Sequence, residues 1–165
     1  MIDIDGCKTD CLAANPGGEI NFSLDRSIPL GIQSVLADFE ESFRSNNLEV
    51  VKDTPVLPSD RVRKSLITGV FEGGGKTYPC KQEVEEATSL FLNRFADTYQ
   101  RMAGGALSWD SIILTGGGSA LLYQKLIQLL NHENIILADD ASSLHMANVR
   151  GGLKLWRLYD ALKVQ

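Results

Sequence analysis

The stretch Ser111 to Ala138, SIILTGGGSALLYQKLIQLLNHENIILA, constrains the fold more than any other part of the chain. Its first five residues form a short apolar run of strand type, which Gly116-Gly117-Gly118 stops at once. SALLYQKLIQLL then reads as a helix and NIILA as another buried strand. A last helix is expected from about Leu144 to Lys163, with Val149, Leu153, Trp156, Tyr159 and Leu162 turned toward a core and Gly151-Gly152 marking close packing. Strand, helix, strand, helix is the order of an α/β layer fold.

The other end of the chain adds an all-strand beginning. Met1-Ile2-Asp3-Ile4 alternates apolar and acidic residues and is followed by a turn at Asp5-Gly6. TDCLAA and GEINFSL read as two more strands, joined through Asn15-Pro16-Gly17-Gly18, so the expected sheet begins in a β-meander. Between the two ends the pattern becomes helical. In GIQSVLADFEESFRS, Ile32, Val35, Leu36, Phe39 and Phe43 share one face. Residues 46 to 58 read as an irregular connection, and Ser59 is the expected N-cap of a short helix reaching Leu66 or Ile67. A long helix is expected from Gln82 to Met102, carried by Val84, Ala87, Phe91, Phe95, Tyr99 and Met102 and ended by Gly104-Gly105.

Just before that helix lies EGGGKT, residues 72 to 77, which resembles the end of a phosphate-binding P-loop. The spacing excludes it. The pattern requires glycine five places before Gly75, where Val70 stands, and Gly69 is one place too far. Tyr78-Pro79 also prevents direct entry into a helix. The triple glycine is instead the expected tip of a hairpin between strands near Gly69–Phe71 and Lys76–Tyr78.

At 165 residues and 44% hydrophobic, the chain can bury one sizeable core or two small lobes. A net charge of −5 without a basic stripe argues against direct nucleic-acid binding as its main task. No apolar run reaches the roughly 20 residues of a membrane span, and the N-terminus lacks the pattern of a secretion signal, so no membrane partner and a cytoplasmic location are expected. Cys7, Cys11 and Cys80 are expected to be reduced, because they and His132 and His145 do not form the close-set pairs of a zinc site.

Two turns carry the candidate chemistry. In DIDGCKTD, residues 3 to 10, Asp3 stands near a strand end while Gly6 lets turn amides point at an anion; a carboxylate so placed can hold magnesium through water. In ILTGGGSALL, glycines at a helix N-terminus admit either a flat ligand or close helix–strand packing. Taken with their order and separation, these turns resemble the second half of the actin, sugar kinase and heat-shock ATPase superfamily, in particular the plasmid-segregation actins of the ParM/StbA type. Asp3, Ile4, Gly6, Thr9 and Asp10 match the second phosphate loop of those proteins. Ile112, Ile113, Leu114, Gly116, Gly117 and Gly118 match their adenosine motif, and Asn148 and Gly151 match their terminal helix.

The resemblance implies a ribonuclease H-like, actin-type α/β domain with a mixed sheet. Its core would comprise residues 1–31 and 104–165, with a smaller α-rich subdomain inserted at 32–103. It also implies ATP and Mg2+ as cofactors. Asp3 would hold the metal, Gly6 and Thr9 would belong to the phosphate loop, and Gly116, Gly117 and Gly118 would meet the adenosine. Arg63 or Lys64 is a further candidate for the ribose or adenine. The implied task is filament assembly as a homo-oligomer, coupled to hydrolysis and linked to plasmid DNA through a DNA-binding adaptor. The chain begins at the second phosphate loop, so the resemblance leaves the first domain, and with it half of the phosphate clamp, outside this sequence.

Asp5 departs from the family pattern by replacing a glycine. A carboxylate beside a triphosphate costs about 1–4 kcal/mol in a partly solvated site unless magnesium or Lys8 compensates. An alternative reading is therefore a non-catalytic actin-like assembly or binding module of the pilus- or division-associated type. A sugar or small-acid kinase ranks third, since the short insertion leaves little room for a substrate pocket.

Overall fold

The computed structural model describes residues 1–15, 17, 19–52, 56–103 and 109–138. The expected terminal helix with Asn148 and Gly151, His145, and the Gly104-Gly105 stop lie outside the described residues.

Strands β1 (Ile2–Ile4), β2 (Thr9–Cys11) and β3 (Arg26–Ile28) form an antiparallel meander. On the other side of β1, strands β6 (Ile112–Thr115) and β7 (Ile135–Leu137) run parallel to it. The sheet order is therefore β3-β2-β1-β6-β7, a mixed sheet with β1 at its centre. The two strand ends that the sequence singled out are neighbours, with Asp3 opposite Thr115 in the register. Alternation along a strand places Ile2 and Ile4 on one face and Asp3 on the other. Ile4 is fully buried, and helix α5 (Gly117–Leu130) packs against it so closely that a methyl group on Gly118 would strike its side chain.

The helices take the faces that their periodicity implies. In α1 (Ile32–Asn46), Val35, Phe39 and Phe43 are buried; in α4 (Lys81–Ala103), Ala87, Phe91, Phe95 and Tyr99 are. These two helices pack along each other. Between them in the chain come a single helical turn, α2 (Leu48–Val51), a short helix, α3 (Ser59–Thr68), and the hairpin of β4 (Val70–Gly73) and β5 (Lys76–Pro79). The hairpin forms its own two-stranded sheet, with Gly74 and Gly75 at positive φ in the two-residue turn. Phe43 joins it to α1 through Phe71 at 4.7 Å and Tyr78 at 6.4 Å between ring centres. EGGGKT is thus a hairpin.

Three local expectations need correction. The third strand is not GEINFSL. Ala14 and Ile20 make only an isolated bridge, held by Asn15 and Glu19, and the Asn21 side chain then accepts from the Ser23 amide and hydroxyl while Leu24 N–H closes a turn on Asn21 O. Asparagine satisfies its own backbone locally, so the alternation of Ile20, Phe22 and Leu24 pairs with nothing further and Phe22 is left exposed. Ser59 is the first residue of α3 rather than its cap; Pro58, already fixed near the required φ, takes the cap position. Strand β7 is not fully buried: it borders β6 alone among the described strands, and Ile136 is exposed.

Candidate nucleotide-facing site

The turn Asp5–Lys8 leaves β1 and returns into β2, closed by Asp5 N–H donating to Lys8 O at 3.0 Å. Its shape is held from the side of α1. Ile32 N–H donates to Asp5 O at 2.9 Å and Gln33 N–H to Gly6 O at 2.8 Å. These are two of the N-terminal amides that a helix cannot satisfy internally, here consumed by the turn's carbonyls. Because a trans peptide holds C=O and N–H on opposite sides, the amides of Gly6 and Cys7 face away from α1. Neither donates to a backbone carbonyl among the described residues.

The second turn reaches the same place from β6. Gly116, at φ 83°, caps α5, and its backbone lies against the Asp3 carboxylate and the carbonyl of Ile4. An L side chain there would combine an unfavourable φ with collision against β1. The amides of Gly117 and Gly118, at the start of α5, donate to no backbone carbonyl among the described residues. Asp5, Gly6, Gly117 and Gly118 together line a cleft of about 730 Å³. Its remaining walls are Ile32 and Leu36 of α1, Leu66, Ile67 and Arg63 of α3, and Ala120 and Leu121 of α5. That is a mostly apolar hollow of the size that takes small molecules, with one cation and a row of free amides at its rim.

The six residues singled out from the sequence occupy different layers of this site. Gly6, Gly117 and Gly118 line the cleft; Gly116 and the buried Asp3 stand beside each other behind it. Thr9 is fully buried and its hydroxyl donates to Leu30 O at 2.6 Å, tying the start of β2 to the segment that leads into α1. Of the two α3 candidates, Arg63 lines the cleft, whereas Lys64 is bound to Glu72 at 2.8 and 2.9 Å. Lys8 does not turn to Asp5. It pairs with Asp10 at 2.7 Å, and that hydrogen bond and charge raise its pKa, with Asp5 and Asp3 adding to the effect. Gly31 was not singled out. Its need for a glycine arises from contact with the turn some 25 positions away, which no local pattern marks.

Solved structures with this architecture settle the fold. A ParM non-polymerisable quadruple mutant (pCBH ParM) superposes with a TM-score of 0.77 at 19% identity, over 95% of this chain and 46% of that one. The chain has an actin-like fold. ParM of Bacillus thuringiensis with ATP gives 0.73 at 15% identity over 98% and 46% of the two chains. The archaeal actin homolog Ta0583 in complex with ADP gives 0.68 at 19% identity over 89% and 45%. The actin-like chain thus spans less than half the length of the structures it matches. No family model and no curated protein matches the sequence. No helix among the described residues is long and apolar enough to cross a membrane.

Proposed function

We propose that this chain is the nucleotide-binding half of an actin-like, filament-forming ATPase of the plasmid-segregation type, working in the cytoplasm. The observation that carries the reading is the convergence of two turns more than a hundred residues apart on one cleft, with Gly6 on one side, Gly117 and Gly118 on the other and Arg63 opposite. ATP and Mg2+ fit the residues present. The amides of Gly6 and Cys7, bound to no backbone carbonyl, suit phosphate oxygens, and the α5 N-terminus at Gly117 and Gly118, with Gly116 behind it, would give a flat adenosine close access. Leu36, Leu66, Ile67 and Leu121 supply apolar walls, with Arg63 reaching the base or ribose. Asp3 would hold Mg2+ through water, and Thr9 would fix the loop from behind. Residues 32–103 would form the inserted subdomain, supported by the separate β4–β5 sheet.

Magnesium ATP would supply the phosphoryl group, and this chain would bind and orient it. Phosphoryl transfer draws its rate from positioning and charge stabilisation around the phosphate. With a single wall of the clamp, the isolated chain is expected to bind magnesium ATP without measurable turnover. The complete protein would assemble into a homo-oligomeric filament, and a DNA-binding adaptor would link it to its cargo. A ParM filament from Clostridium botulinum, which superposes at a TM-score of 0.73 and 18% identity, supports that step by analogy.

One feature favours the second reading, a non-catalytic actin-like assembly module. Asp5 lines the cleft, and Lys8, its nearest candidate for compensation, is bound to Asp10. Calorimetric titration of the chain and of Asp5→Gly with magnesium ATP separates the two. Binding that Asp5→Gly strengthens supports the nucleotide site; no binding by either protein supports the module, and a robust magnesium-dependent turnover would overturn the half-clamp account.

A further inference from the structure

We propose that Gly31 is a positioning residue for the phosphate-facing turn, and that the N-terminus of α1 is the device that aims the turn's amides. The proposal rests on the nucleotide-binding reading above and names a residue and a contact outside it. No side chain of the Asp5–Lys8 turn holds its shape from within. Instead, Gly31, Ile32 and Gln33 touch it, and Leu30 holds the first residue of β2 just beyond it. Leu30 O accepts from Thr9 Oγ1, Ile32 N–H and Gln33 N–H donate to Asp5 O and Gly6 O, and Gln33 Oε1 accepts from Cys7 Sγ at 3.3 Å. Gly31 lies at the centre of these contacts. A first side-chain carbon there would fall 2.5 Å from Gly6 O, 2.6 Å from Lys8 N and 2.7 Å from Asp5 O. All three are backbone atoms, so nothing can swing aside.

The consequence is directional. Turning the carbonyls of Asp5 and Gly6 toward α1 leaves the paired amides of Gly6 and Cys7 facing away from it, with no backbone carbonyl among the described residues accepting from them. Pushing α1 off the turn frees those peptides to rotate and lets carbonyl oxygens face an anion. The loop would then repel the phosphate it is built to hold.

The reporter is already in place. Cys7 is exposed while Cys11 and Cys80 are buried, so alkylation of the folded chain reads the turn alone. The experiment measures magnesium ATP affinity by calorimetry and the rate of Cys7 alkylation, with and without nucleotide, in wild type, Gly31→Ala, Ile32→Pro and Ile32→Ala. Ile32→Pro removes the N–H that binds Asp5 O, sets a ring carbon against that oxygen and trims the cleft wall, at the first helical position where proline is at home and after an extended residue. Ile32→Ala trims the same cleft wall but keeps that N–H.

Gly31→Ala and Ile32→Pro are expected to weaken nucleotide binding by about tenfold or more, as loss of charge-assisted hydrogen bonds does. They should also accelerate Cys7 alkylation in the free protein and abolish its protection by nucleotide. Ile32→Ala should lose less on each count. Should Gly31→Ala fail to fold, Ile32→Pro decides. If wild type binds and the folded variants match it in affinity and Cys7 rate, the positioning role is overturned. If wild type does not bind, the nucleotide reading fails with its positioning role, while faster Cys7 alkylation in the variants would still show α1 holding the turn.

Discussion

Cys11 differs from Cys7 in its surroundings more than in its chemistry. Burial pushes its thiol from an ordinary value near 9.0 up to about 11, with the nearby N-terminal amine opposing and Asp10 and Asp25 adding to the shift. Burial likewise raises Cys80 and takes Tyr99 up to about 12. In each case the folded state keeps a proton that the unfolded chain releases earlier. The stability that Cys11 contributes is therefore intact below about pH 9 and lost as pH rises through about 11, and that of Tyr99 is lost as pH rises from 10.0 through about 12. The urea midpoint should fall above about pH 9, and Cys11→Ala should flatten the first part of that fall. A midpoint independent of pH up to 11 would show that Cys11 is not shielded as the structure has it.

At the scale of elements, the hairpin and the strand–glycine–helix unit use similar residues for different ends. Gly74 and Gly75 let a two-residue turn close, whereas Gly116 and Gly118 let α5 approach β1. Two outcomes follow for the hairpin. Gly75→Val forces a branched side chain into φ 72° and is expected to cost about 1–2 kcal/mol in chemical denaturation. Lys76→Ala should leave magnesium ATP affinity unchanged, because Lys76 sits in β5 outside the cleft lined by Gly6 and Gly117; a lost affinity would revive the P-loop. Helices α1, α4 and α5 and strand β6 were legible in the sequence because hydrophobic spacing is a local property that burial then uses. The position of β3 was not. Ile20, Phe22 and Leu24 alternate as well as any strand, and the Asn15 and Asn21 side chains decide the matter by bonding the nearby backbone.

For the whole molecule, one core joins the sheet to the hairpin. Phe39, Phe43, Phe91 and Phe95 are fully buried, and Phe43 also touches Phe71 and Tyr78 of the small sheet. Phe43→Ala is expected to cost about 3–5 kcal/mol and to raise hydrogen exchange in β4–β5 and α4 together. Exchange confined to the hairpin would mean that the two sheets are not coupled through this ring. The candidate site belongs to this scale too. Its glycines and Asp3 were visible as two separate turns, each of a kind that many proteins use only for packing. Most of the strands and helices were legible in the chain, the place of β3 and the turn α2 excepted, because periodicity and turn chemistry act over a few residues. It took the folded chain to show that Gly6 and Gly117 share a cleft, that Arg63 rather than Lys64 faces it, and that a side chain at Gly31 would strike the turn. Each of these depends on β1 pairing with β6 across more than a hundred residues, or on backbone meeting backbone, and neither leaves a local trace in the chain.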